Sequence, residues 1–319
     1  MTTEKATWLA DLCAQCGVAI NAAQAQKMCA LLDLLLEENQ QYNLTAIRDF
    51  ETAAHKHVVD ALLPLASGVL PAQGLFLDVG TGAGFPGLPL AIALPQARFV
   101  LLDSTAKKLG FVQKACNHLG LLNVETCCAR AEEAARGEPI LCHRRAIALE
   151  GGTESRTFPR QAGASDIPSD DQEAGGLLPG REGAPQPASD KRNALPIHAD
   201  APQPIIPPLP WRVTSRRVLR HRFDCVTARA VAALPQLCEY ALPFVKKGGK
   251  AVFYKGPEAA RELAQATLLQ TLGGENARVI EARLPSGDPR TLVVVEKRRD
   301  TPAGYPRENA RIIVRPSRS

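Results

Sequence analysis

The chain has 319 residues, 45% of them hydrophobic, and carries a formal net charge of +5. That is enough apolar material for a substantial core in one large or two modest domains. No run of eighteen or more apolar residues occurs, and the opening MTTEKATWLADL has early acids and no signal-peptide core, so we expect neither a membrane span nor a secretory signal, and a cytoplasmic protein.

In chain order, apolar residues recur at three and four from Lys5 to Cys16 and from Ala22 to Gln41, where Met28, Leu31, Leu32, Leu35 and Leu36 form one stripe. These two helices precede everything else and are expected to form an N-terminal helical cap over residues 1–66. The second should stop at Tyr42-Asn43-Leu44-Thr45, because Asn and Thr side chains compete for backbone hydrogen bonds. A third helix is predicted over His55 to Leu63 and is restricted by Pro64. On it His57 and Asp60 are three apart and share a face, so they are either a hydrogen-bonded pair turned to a ligand or part of a solvated face.

Next comes LFLDVGTGAGFPG, Leu75 to Gly87. Leu75-Phe76-Leu77 reads as a buried strand ending in an acid, Asp78; Gly80, Gly82 and Gly84 follow, and Pro86 opens a helix predicted over Gly87 to Leu94. Strand, glycine turn and helix make a nucleotide-binding element. Gly82, Gly84 and Gly87 also satisfy G-x-G-x-x-G, the dinucleotide fingerprint. A carboxylate at Asp78 would repel a pyrophosphate yet can hold an ammonium, so S-adenosylmethionine fits better than NAD.

Arg98 to Leu102 is the second strand, closed by Asp103, an acid about twenty residues beyond the glycines and suited to ribose hydroxyls. A helix over Ala106 to Leu119 leads to a third strand at Asn123 to Ala129. The loop after a third strand passes beside the adenine in such sheets, which makes the Ala131 backbone and the Glu132 carboxylate candidates for its exocyclic amine. This first half of the domain covers residues 67–135.

From 136 to 221 periodicity vanishes into Pro, Gly, Ser, Asp and Arg, which predicts a disordered low-complexity insertion. Its Arg-rich exit, including Arg220, is either a phosphate-facing patch or a solvated charge run. The second half, 222–297, resumes with a strand at Phe223 to Thr227, then helix Leu234 to Leu242 and a strand ending at Lys255. Helix Pro257 to Leu272 follows, then an antiparallel hairpin around PSGDPR. Arg229 and Lys255 stand at the tips of adjacent strands, along the edge where open parallel sheets bind ligands. The rest, 298–319, is a basic, mobile tail. The nine cysteines are odd in number and sit in apolar segments, as reduced thiols do; Cys13 and Cys16 lack a second ligand pair, so no metal is expected.

YNLT (42–45), KHVVD (56–60), LDVGTGAGFPGLPL (77–90), LLDS (101–104), RAEE (130–133), TARA (227–230), YKG (254–256) and YPR (305–307) occur in an order that resembles the RsmG/GidB family. Members are bacterial small-subunit ribosomal RNA methyltransferases acting on N7 of one guanine. The resemblance implies an α/β fold, a Rossmann-like class I S-adenosylmethionine-dependent methyltransferase sheet. It also implies S-adenosylmethionine as cofactor, with Gly80, Phe85, Ala131, Glu132 and Arg229 contacting it and Asp103 on the ribose, and small-subunit ribosomal RNA or the 30S subunit as partner; separately, a monomer is expected. Guanine N7 has a free lone pair, so no general base is needed, and Arg229 or Lys255 is expected beside the guanine O6. Ala61, the GDPRTLVVV turn and the end after YPR depart from the family pattern. A small-molecule methyltransferase, an NAD-dependent oxidoreductase and a non-catalytic RNA-binding assembly factor are the rival readings.

Overall fold

Successive residues of a strand point to opposite faces, and the central strands are apolar on both. Phe76, Phe99 and Leu101 join one core cluster with the N-terminal helices, while Leu77, Val79, Val100 and Leu102 join a second cluster on the other face. The computed structural model describes residues 2–137, 140–145 and 211–307. They fall within one of two units of the chain, the other being Ala148–Ile205.

Helices α1 (Thr2–Ala14) and α2 (Ala22–Tyr42) form the cap. Asn21 and Gln24 close a capping box at the start of α2, and the Gln24 amide also donates to the carbonyls of Ile92 and Ala93. One side chain thus starts one helix and satisfies the end of another. After α2 stops at Asn43, in left-handed backbone, α3 (Phe50–Ala53) passes into a six-residue π-helix (Ala54–Val59) and then α4 (Asp60–Ala66). The helical path runs through Pro64 to Ala66.

The sheet strands are β1 (Gly74–Val79), β2 (Ala97–Asp103), β3 (Val124–Cys128), β4 (Ile140–Arg145), β5 (Trp211–Arg217), β6 (Phe223–Arg229), β7 (Val245–Lys255), β8 (Gly274–Arg283) and β9 (Pro289–Lys297). Their order is β5-β4-β3-β2-β1-β6-β7-β9-β8. The five inner strands from β3 to β7 are parallel, and each end of the sheet is finished antiparallel. Helices α5 (Gly87–Ala93), α6 (Ala106–Leu119), α7 (Ala131–Ala135), α8 (Leu234–Ala241) and α9 (Ala259–Gln265) lie between strands in the chain. Strand order reverses beside β1, where β6 takes the side opposite β2, so a crevice opens above the carboxyl ends of β1 and β6.

The structure departs from the sequence reading in several places. Strands β4 and β5 occupy both ends of the 136–221 stretch read as an insertion, and its predicted disorder otherwise lies outside the described residues. Cys127 and Cys142 face each other across β3 and β4 in a disulfide, so not all thiols are reduced. Arg220 is neither a phosphate patch nor a solvated run: its guanidinium donates to the carbonyls of Ala135, Thr301, Pro302 and Tyr305. That clamp, together with Arg307 on buried Glu239, anchors the described part of the tail, while residues 308–319 lie outside the description. Finally, α9 ends at Gln265, well short of Leu272.

Lys297 is fully buried, with its ammonium donating to the carbonyls of Leu242 and Leu272 and to the Thr301 hydroxyl. Burial pushes its pKa down to about 7. The unfolded chain then holds a proton between pH 7 and about 10.4 that the folded chain has lost, so this residue makes stability rise with pH over that window. Urea unfolding midpoints should climb from pH 7 to 9 more steeply in the wild type than in Lys297→Met; parallel profiles would contradict this assignment.

Candidate active site

The crevice is built on Asp78, the last polar residue of β1, which is 1% exposed. Its Oδ2 accepts from the Thr81 hydroxyl at 2.6 Å and the Gly87 amide at 3.0 Å, and its Oδ1 accepts from the Thr227 hydroxyl at 3.0 Å. One carboxylate therefore joins β1, the glycine turn, the start of α5 and β6. Burial drives its pKa up to about 6 against the pull of those donors. A Cβ on Gly87 would come within 2.3 Å of Leu101 and 2.9 Å of the Asp78 carboxylate, so only glycine lets the helix start sit here. With its oxygens taken by the protein, Asp78 supports the turn from beneath and does not line either cavity described below.

On one side of the turn is a cavity of about 150 Å³ lined by Gly80, Asp103, Ser104, Ala129, Ala131, Glu132, Val231 and Tyr240, among others. Asp103 ends β2, where its Oδ2 accepts from the Gly82 amide at 2.9 Å and its Oδ1 from the Thr105 amide at 2.8 Å. Each carboxylate oxygen carries a second lone pair, so capacity for a diol remains. Gly82 has φ of +59°, and a Cβ there would meet nothing within 4 Å. The turn is open on that side.

A larger cavity, of about 490 Å³, has a lining that includes Lys56, His57, Asp60, Arg229, Tyr254, Lys255, Glu262 and Arg290. Asp60 is its node: Oδ2 accepts from Arg229 Nη1 and Oδ1 from Arg290 Nε, both at 2.9 Å. Arg229 also donates to the Lys56 carbonyl, and Lys255 pairs with Glu262 at 2.7 Å. The His57 ring stacks on Phe85 with centroids 4.7 Å apart. Its Nε2 lies 2.9 Å from the Thr45 hydroxyl and its Nδ1 3.4 Å from Arg229 Nη2. Since arginine only donates, Nδ1 is the acceptor and Nε2 carries the hydrogen to Thr45. Burial, then the Arg229 charge, lowers the His57 pKa to about 4.

The sequence candidates therefore separate. Gly80, Asp103, Ala131 and Glu132 gather in the smaller cavity; Arg229 and Lys255 line the larger one, with Phe85 against its His57; Gly82 ties the turn to Asp103. Of the two readings of His57 and Asp60, neither a direct pair nor a solvated face is found: both line the larger cavity and meet through Arg229. Arg290 and Glu262 escaped the sequence reading. The arginine opening the apolar run TLVVV was the available signal, but only the antiparallel pairing of β9 with β7 brings it to Asp60.

A parallel sheet with its switch point at β1 and β6, a glycine turn and an acid ending β2 define a class I methyltransferase fold. The family described as GidB, rRNA small subunit methyltransferase G, matches residues 24–150 and 209–286. Proteins named ribosomal RNA small subunit methyltransferase G are similar along most of the chain. The one from Deinococcus deserti is 36% identical, over 87% of this chain and 82% of its own; the one from Alkaliphilus metalliredigens is 30% identical, over 94% and 93%. The chain belongs to the rRNA small subunit methyltransferase G family and is a methyltransferase. Among solved structures, an O-methyltransferase from Bacillus cereus in complex with SAH is similar at 14% identity and a TM-score of 0.42, covering 84% of this chain and 91% of that one. No helix among the described residues is long and apolar enough to cross a membrane, and none of their His, Cys, Asp and Glu side chains cluster in threes that would hold a metal.

Asp78→Ala leaves buried donors without an acceptor, so it should lower the free energy of unfolding by about 3 kcal/mol in urea titrations. The His57 ring should show no titration by NMR between about pH 5.5 and 8, where an unperturbed histidine changes charge.

Proposed function

We propose that this protein transfers the methyl group of S-adenosylmethionine to N7 of a guanine in bacterial small-subunit ribosomal RNA. The observation that carries the reading is a pair of cavities tied to one glycine turn: a smaller one, lined by Gly80, Asp103 and Glu132, fit for a nucleoside, and a larger basic one, whose His57 stacks on Phe85 of the turn, fit for an RNA base. The donor set fits the cofactor: Asp103 retains lone pairs for a ribose diol, Glu132 and the Ala131 backbone suit an adenine edge, and Gly82 leaves open room beside the turn. When bound, S-adenosylmethionine supplies an electrophilic methyl on a sulfonium.

The chain's own contribution is positioning and electrostatics. Guanine N7 already carries the attacking lone pair, so the site needs no base to remove a proton, and the neutral His57 is consistent with that. Arg229, fixed by Asp60 and the Lys56 carbonyl, and Lys255, fixed by Glu262 and the Ala232 carbonyl, present rigid cations to the guanine O6 and leave the N7 lone pair free to attack. His57, which lines this cavity, stacks on Phe85 of the glycine turn and so gives the cavity a rigid ring surface. Asp78 holds the turn against β6, keeping the two cavities in register.

The test is incubation with labelled S-adenosylmethionine and under-methylated small subunits or their naked RNA, followed by mapping of the modified base. Label at one guanine N7 is expected. Asp103→Ala should weaken cofactor binding about tenfold or more, equivalent to one good charged hydrogen bond. Arg229→Ala should lower methyl transfer at saturating cofactor. Label on small molecules alone would overturn the reading.

A further inference from the structure

A further cavity, of about 430 Å³ and the second on the acceptor side, adjoins the basic one and is lined by Pro257, Glu281, Ala282, Arg283, Pro289, Arg290 and Thr291. Arg290 and Thr291 line both. The two therefore share a wall at the start of β9, and the second lies under the turn joining β8 to β9, at the end of the sheet.

The charge along this path is unbalanced. Asp60 is the single carboxylate facing two guanidinium groups, Arg229 and Arg290, so its one negative charge leaves a positive excess between the cavities. Arg290 is fixed in place: Nε is held by Asp60 and Nη1 by the Pro289 carbonyl. Arg283 is exposed at the end of β8 and spends Nη1 on the Gly287 carbonyl, which closes the hairpin turn. Each guanidinium carries five N–H donors in a planar fork, so donors remain on both after these bonds, and such forks match phosphate oxygens. The lone carboxylate in the second cavity, Glu281, is set against both arginines.

We propose that this second cavity is the track for the RNA strand next to the target base, with Arg290 and Arg283 taking the phosphates as the strand leaves the acceptor cavity past Thr291. This rests on the reading that the larger cavity takes an RNA base. A polyanion fits where a small-molecule acceptor would not, because a single base would occupy the first cavity and leave the adjoining cationic one unused. Sequence is not read along the track: guanidinium-to-phosphate contacts position a strand and add affinity without discriminating bases.

The experiment measures binding of a short single-stranded RNA carrying the methylation site, at several salt concentrations, together with the KM for RNA. The proteins are wild type, Arg283→Ala and Arg283→Lys. Removing one guanidinium-to-phosphate pairing should lower the slope of log affinity against log salt by about 0.7. Arg283→Ala is expected to show that smaller slope and a KM for RNA raised about threefold to tenfold near physiological salt, with cofactor affinity unchanged. Arg283→Lys should restore most of the slope, a result that breaking the hydrogen bond to the Gly287 carbonyl would not give by itself. A wild-type slope and KM in Arg283→Ala would overturn the track while leaving the methyltransferase reading intact. So would unchanged RNA binding combined with lost association with whole small subunits, which would assign the arginine to a protein surface. A wild-type enzyme that methylates no ribosomal RNA would instead remove the reading beneath it.

Discussion

The site depends on one buried carboxylate at the point where the sheet changes direction. Asp78 is enclosed because strand alternation turns it toward the same face as Phe76, under the start of α5. A charge there would be costly without partners, and its partners come from separate stretches of chain: Thr81 in the turn, Gly87 at the helix start and Thr227 on the neighbouring strand. Strands β1 and β6 are far apart in sequence, so this carboxylate carries a tertiary constraint into a local turn. Gly87 is obligatory for the same reason, since any side chain would meet Leu101 and Asp78.

Asp60 plays a comparable part on the acceptor side. It stands on α4, immediately after a π-helical turn, and holds arginines from β6 and β9. Three parts of the chain converge on it: the helical cap, the strand tip and the C-terminal hairpin. The cap is thereby more than a cover. Arg229 sets the His57 tautomer, the cap's Thr45 accepts from Nε2 on the far side of the ring, and buried Asn39 holds Thr45 in place through two hydrogen bonds to its backbone.

Much of the fold was legible because its signals are local. The apolar stripe of α2, the short apolar runs of β1 and β2 and the glycine turn each state their own conformation within a dozen residues. The 136–221 stretch was harder to read, because β4 and β5 are irregular strands that exist by pairing with β3 and with each other. Their partners, not their own periodicity, make them strands. Arg220 likewise looked like part of a charge run, yet four carbonyls of distant segments surround it.

The sequence by itself determined the nucleotide-binding element, the acid ending β2, the acid after β3 and the order of the family motifs, because spacing along one strand-turn-helix unit is written in consecutive residues. Only the tertiary structure decided how those residues divide. It sank Asp78 beneath the turn, put Asp103 and Glu132 in one cavity and Arg229 and Lys255 in another, and brought Arg290 to Asp60. The physical reason is that strand order is set by packing and pairing across the whole sheet. Which strand tips become neighbours, and so which charges face one another, is not a property of any single segment.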